Sequence, residues 1–286
     1  MFCAVAMKRP LSTRLTCSAF VAALGALLAS GCASARETTP AAAPAGGRQS
    51  VGDTLRAASL GALASLSGAS EGPAACPAGM VMIEGDYCPE VEQTCERWLD
   101  PPGTKYAQFR CARYKPSVCK APRRHMRYCI DRTERVEATS ARPQNFVSFD
   151  SAKALCAAAG ARVCRESEWQ FACEGEEMRP YPYGWERDAS ACNVDHTKHL
   201  MEHGHLADRR RDVGADARCA SPFGVLDLAG NVEEWVAADG HKMGWRQVLK
   251  GSYWIPSRHA CRQFQVGHGP EYGGRETGTR CCRDAP

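Results

Sequence analysis

The segment GSYWIPSRHACRQF, residues 251–264, sets His259 two positions before Cys261. An imidazole and a thiolate together are soft enough ligands for copper, while a cysteine is also half of a disulfide. A second segment, DLAGNVEEW at 227–235, carries Asp227 and Glu234 around Gly230. These are hard oxygen donors beside a glycine that permits a sharp turn with exposed carbonyls. Calcium takes six to eight such oxygens at about 2.3–2.6 Å. A third, HTKHLMEHGH, gathers His196, His199, His203 and His205, all competent zinc or copper ligands. The His199–His203 spacing would face one way on a helix, but Gly204 and the charged neighbours point to an exposed loop. Glu166 and Glu168 open a helix, where they suit the macrodipole better than acid–base work. There is no GxSxG, Walker loop or dinucleotide fingerprint, so the chemistries those motifs carry are excluded.

The compartment decides how the cysteines are read. The chain has 286 residues, a net charge of +4 and seventeen cysteines. That charge is too mild to imply nucleic acid. Repeated CxxC pairs are absent, so an oxidising compartment accounts for the cysteines better than metal clusters. The N-terminus agrees. From Met7 it reads as a basic region, an apolar run and small residues ending in LASGC. This is a lipoprotein signal over residues 1–31, with Cys32 as the acylated residue; Ala33 after it leans towards the outer membrane. Residues 32–75, rich in Ala, Pro, Gly, Ser and Thr, form a flexible tether, with a short helix over 54–66. Without Cys3, Cys17 and Cys32, fourteen of the seventeen cysteines remain, an even number that can pair completely.

The folded region is expected over 76–286. AGMVMIEG (78–85) predicts a strand entering a turn. FDSAKALCAAAG (149–160) and RESEWQFACEG (165–175) predict helices, and RQVLKGSYW and TRCC predict short strands. The stretch at about 86–129 reads as a cysteine-rich insertion whose second half holds many Lys and Arg and no acid. Arg123, Arg124 and Arg127 there are candidates for binding a phosphate or sulfate polymer.

Five segments in order carry a resemblance: GMVMIEG, FVSFDSAKALCAAAGARVCRESEWQFACEG, YPYGWERDASACN, SPFGVLDLAGNVEEWV and VLKGSYW…GTRCC. Together they resemble the formylglycine-generating enzyme, or sulfatase-modifying factor, family. The resemblance implies a disulfide-rich α+β fold of low regularity, related to C-type lectins. It implies calcium held by Asp227 and Glu234 with the carbonyls of Gly230 and Val232. A second calcium would use Asn193 and the carbonyl of Val194, with Asp208 or Asp212 as acidic partner. In catalytic members two cysteines, spaced C-x4-C after a GGS[WY] strand, bind Cu(I), and with O2 oxidise a protein cysteine to formylglycine. Here the second position matches Cys261, while the first falls on Pro256 counted back or Ile255 counted forward from GSY. Neither side chain ligates a metal. Lys250 replaces a glycine, Gln263 and Gln265 flank Phe264, and Cys164–Arg165 stand for a usual Pro-Thr, leaving Arg165 unable to cap the next helix. An extra disulfide through Cys164 is one way to compensate.

These readings favour a lipid-anchored cell-envelope protein with a non-catalytic binding or accessory domain. Cys261 is read as a half-cystine, which argues against copper, and calcium as the cofactor. The partners are the membrane, through the lipid, and a protein segment or envelope polyanion. The competing reading is a divergent copper/O2-dependent oxidase of protein cysteine, with Cys261 as the surviving ligand.

Overall fold

The computed structural model describes residues 76–240 and 244–286. The signal segment, Cys32, the tether and the 54–66 helix lie outside the described residues. The first strand, β1 (Met80–Tyr87), runs straight through Gly85, where the sequence predicts a turn. Gly85 has φ 153°, and a β-carbon there would meet Glu176 Oε1 at 2.7 Å and Phe171 Cζ at 3.2 Å. The glycine serves a close approach, not a reversal.

Two nested strand pairs follow: β2 (Val91–Glu92), β3 (Cys95–Trp98), β4 (Cys111–Tyr114) and β5 (Val118–Cys119). The inner β3 and β4 pair antiparallel, as do the outer β2 and β5. Disulfides Cys88–Cys119 and Cys95–Cys111 staple the two layers. The chain then re-enters the core as β6 (Arg124–Asp131), antiparallel to β1. The stretch read as one insertion therefore divides. Residues 88–119 make the stapled hairpins, while Arg124, Arg127 and Cys129 belong to an inner strand of the main sheet.

Helix α1 (Phe149–Ala158) starts at a reciprocal cap. Ser148 Oγ accepts from Ser151 N–H, and Ser151 Oγ accepts from Ser148 N–H. It stops before Gly160, at φ 65°. After β7 (Arg162–Val163), helix α2 (Glu166–Glu174) begins behind Arg165, which has no side-chain acceptor to offer. The capping bond comes from a distance: Asp239 accepts from Ser167 N–H at 2.9 Å and from its hydroxyl at 2.5 Å. Glu168 closes the other half by accepting from Arg165 N–H at 2.8 Å. Trp169 and Cys173, four apart, are both fully buried. The histidine-rich segment forms β8 (Met201–Glu202) and β9 (His205–Leu206), a small hairpin with His199 and His203 at positive φ.

The remaining strands are β10 (Glu233–Ala237), β11 (Gln247–Lys250), β12 (Thr277–Gly278) and β13 (Cys281–Asp284). One sheet has the order β1-β6-β13-β7 and a second β11-β10-β12. Successive strand residues point to opposite faces, so Cys281 and Cys282 reach different elements. Cys281 bonds Cys156 of α1, and Cys282 bonds Cys164 between β7 and α2. The core follows the same division. Ile83, Ile130, Trp169, Phe171 and Val236 pack with Cys282, whereas Phe149, Ala152 and Trp235 pack with Cys281. With Cys76–Cys129, Cys173–Cys261 and Cys192–Cys219, the cysteines from 76 onward form seven disulfides. Closing loops as long as 125 and 118 residues restricts the unfolded chain by about 4–5 kcal/mol each in the chain-entropy account. Short elements joined by irregular chain and held by disulfides make the α+β fold of low regularity that the sequence implies.

Candidate functional site

The GSYWIPSRHACRQF segment leaves β11 through Gly251 and folds back beneath the hairpins. Cys261 is fully buried and bonded to Cys173 of α2. Its sulfur is a half-cystine, not a ligand. Counting forward from Gly251–Ser252–Tyr253, the C-x4-C positions are Ile255 and Ala260, and Ala260 lies buried among Cys111, Tyr114 and Tyr181. His259 does not ligate a metal either. Its Nδ1 accepts from Arg187 at 2.7 Å, and its Nε2–H donates to the Tyr253 carbonyl at 2.7 Å. Burial, and then the Arg187 guanidinium, push it down to about 3, so it stays neutral. Arg187 is held in turn by Asp195, at 2.8 and 2.9 Å.

The hairpins lie over this segment through specific contacts. Arg258 stacks on the Phe109 ring with its guanidinium carbon 3.6 Å from the centroid, and Gln263 donates to the Phe109 carbonyl at 3.0 Å. Arg262 donates to the carbonyls of Cys88 and Pro89 while gripping Glu174 with two bonds. Arg110 pairs with Asp100 and with Asp195. Gln263, one of the positions that depart from the family pattern, thus helps to hold the hairpins down. Beside them lie a crevice of about 10 Å3 between Glu233, Ser252, Ser257, Arg258 and Gln265, room for about one water, and a cleft of about 250 Å3 lined by Pro89, Glu166 and Arg262. Glu233 faces Ser252 Oγ at 3.4 Å. Burial, then Glu276, raises its carboxyl to about 8.

Lys250, which replaces a glycine, is fully buried 3.4 Å from Glu166 and over the rings of Trp169 and Phe264. Desolvation lowers it to about 8. Glu166 and Glu168 are themselves buried. Their role is internal ion pairing, Glu168 with Arg162 through two bonds of 2.7 Å, and not a macrodipole effect alone.

The residues expected to hold calcium do come together. Gly230, at φ 82°, brings its backbone against Asn193 so closely that a β-carbon would fall 2.3 Å from the Asn193 carbonyl oxygen and 2.5 Å from Val194 Cγ1. Asn231 N–H donates to that carbonyl, and Asn193 Nδ2 donates to Asn231 Oδ1. Val232 is buried in the same turn. Their side-chain oxygens, however, already have partners. Arg280, 1% exposed, donates to both Glu234 oxygens at 2.7 and 2.8 Å, and Trp169 Nε1 donates to one of them at 2.6 Å. Asp227 accepts from Gly214 N–H, and Asn193 Oδ1 pairs with His196 Nε2. Glu134 adds a third buried carboxyl, raised well above its usual range by burial and then by Asp227. Its Oε2 is buried with no hydrogen-bond partner among the described residues. Arg280 thus neutralises Glu234, and with both its oxygens engaged that carboxylate is not free to hold calcium in this arrangement. Asp208 is taken by Arg210. Among the described residues no three His, Cys, Asp or Glu side chains are arranged to hold a metal. Sequence reasoning missed Arg280 and Glu134; no local spacing links them to a turn far along the chain.

Of the three arginines proposed for a polyanion, Arg124 and Arg127 line one cleft of about 510 Å3, and Arg123 is not part of its lining. Arg123 donates to the carbonyls of Asp86 and Glu176, and Arg124 stacks over Tyr87. Arg127 lies on the opposite face of β6, against Glu84 and the Pro286 carbonyl. With Arg165 that cleft also presents Glu168, Asp239 and Asp284.

The chain is similar to known proteins. Inactive C-alpha-formylglycine-generating enzyme 2 of Bos taurus is 29% identical over 154 residues, 50% of each chain. The formylglycine-generating enzyme of Thermomonospora curvata is 26% identical over 168 residues, 50% of this chain and 55% of its own. The chain thus spans about half the length of these curated relatives. PvdO from Pseudomonas aeruginosa superposes with a TM-score of 0.46 at 17% identity, over 72% of this chain and 94% of that one. The family model of the sulfatase-modifying factor enzyme 1-like domain matches residues 89–285, and the chain belongs to that family.

Proposed function

We propose that this protein is a non-catalytic member of its family, anchored by lipid at Cys32 in the cell envelope, where its domain serves as a binding or accessory module. The pairing of Cys261 with Cys173 carries this reading. A sulfur in a disulfide offers no thiolate to Cu(I), and neither Ile255 nor Pro256 supplies a second. The hairpins over the segment support it further, because Arg258, Arg262 and Gln263 bind them directly beside Cys261. One similar protein is named inactive and another is named for the activity, so the distinction rests on the residues of this chain.

The test is to incubate the mature chain with Cu(I), O2 and a cysteine-containing peptide of the sulfatase type. The reading expects no stoichiometric tight copper and no aldehyde on the peptide by mass spectrometry. Tight binding of one copper with conversion of the peptide cysteine would establish the oxidase reading instead.

A further inference from the structure

We propose that Lys250 and Glu166 condense into an intramolecular amide bond, a cross-link that the folded chain makes from its own side chains. Lys250 ends β11 and Glu166 opens α2, 84 residues apart in sequence. Lys250 Nζ lies 3.4 Å from Glu166 Oε1, and the two side chains are 0% and 3% exposed. Among the described residues no other lysine is buried. An amine and a carboxyl held at this separation react as an intramolecular pair, at an effective concentration far above that of the same groups free in water.

The surroundings supply what a condensation needs. The ring centroids of Trp169 and Phe264 lie 5.5 and 5.8 Å from Nζ. Desolvation lowers the ammonium to about 8, so near neutral pH a usable fraction of Lys250 is the neutral, nucleophilic amine. Gln170 Nε2 donates to Glu166 Oε1 at 3.1 Å, an oxygen on which negative charge collects when the amine adds to Cδ. The Tyr87 hydroxyl donates to Gln170 Oε1 at 2.8 Å, which fixes the end of that amide facing Glu166. Glu174 and Arg262, the other charges that act on Lys250, hold each other by two bonds.

The step balances without a cofactor. It begins from an ammonium and a carboxylate. A bond forms between Nζ and Cδ, and one bond from Cδ to oxygen breaks. The departing oxygen takes two of the three protons on nitrogen and leaves as water, while one N–H stays in the amide. Nothing is oxidised or reduced. The cleft of about 250 Å3 lined by Glu166 and Gln170 gives that water a way out. The product replaces two buried charges by a neutral amide and so removes the desolvation penalty of the ion pair. It also ties α2 to β11 by a bond that a reductant leaves intact, in addition to the Cys173–Cys261 disulfide of the same helix.

Mass spectrometry of the full mature chain tests the proposal. Reduction, alkylation and trypsin should yield a branched species joining residues 166–187, in which Arg179 precedes a proline, to residues 247–258, with Lys250 uncleaved. Its mass should be lower by one water than the sum of the two peptides, and fragmentation should place the junction at Glu166 and Lys250. Lys250→Met and Glu166→Ala should each abolish it. Separate peptides 166–187 and 247–250 with no joined species would mean an ion pair only, and would overturn the proposal. So would a joined species that survives Lys250→Met. The native chain decides by itself, so a variant that fails to fold does not obscure the answer. The result is also independent of the copper test and of an acyl mass on Cys32.

Discussion

Glu233 shows how one side chain registers the loss of open chemistry around it. Its carboxyl is 5% exposed, faces only Ser252 and Arg258 favourably, and sits beside Glu276. Its value in the fold is about 8 against an ordinary 4.5. The folded chain therefore keeps a proton that the unfolded chain releases above pH 4.5, and folding stability falls as pH rises through that window. The loss is complete above pH 8. Glu233→Gln should flatten urea-determined stability between pH 5 and 8 and raise it at pH 8 by roughly 2–4 kcal/mol. An unchanged slope would mean the carboxylate is solvated. His259 has the opposite sign: kept neutral in the fold, it withdraws stability as pH falls below its ordinary 6.5. This polarity was not legible in the sequence, because Glu233 acquires it from burial in the fold and from Glu276, which sheet pairing brings beside it.

At the scale of elements, Arg280 joins what periodicity alone leaves separate. Lying between β12 and β13, it binds Glu234 on β10 and the carbonyls of Asp131, at the end of β6, and Leu226. One guanidinium thus ties both sheets to the turn where calcium was expected. Arg280→Met leaves Glu234 buried without its cation, and should destabilise the fold by about 3–5 kcal/mol. A chelator should leave the melting temperature of the native chain unchanged. A chelator-sensitive melting temperature, or a neutral Arg280→Met, would restore calcium to this turn. The helices themselves were legible: composition and the closing Gly160 mark the first, and Trp169 with Cys173 marks the buried face of the other. The cap of α2 was not, because Asp239 is far from Arg165 in sequence and only the fold supplies it. Gly85 misled for a related reason. A glycine signals a turn locally, yet here the requirement comes from Glu176 and Phe171 across the packing interface.

For the whole molecule, the parity of the cysteines was informative and their connectivity was not. Fourteen could be counted, but the alternation that sends Cys281 and Cys282 to different elements needs the sheet. The resulting bonds enclose a domain whose former thiol segment is cross-linked to α2 and roofed by hairpins. That closure is the central claim, and counting free thiols tests it most directly. The mature chain, denatured without reductant, should be alkylated and digested, and its cysteine peptides weighed. The account predicts no alkylated cysteine from residue 76 onward and a cross-linked peptide joining Cys173 to Cys261. Alkylated Cys261, with Cys173 free or bonded elsewhere, would contradict it.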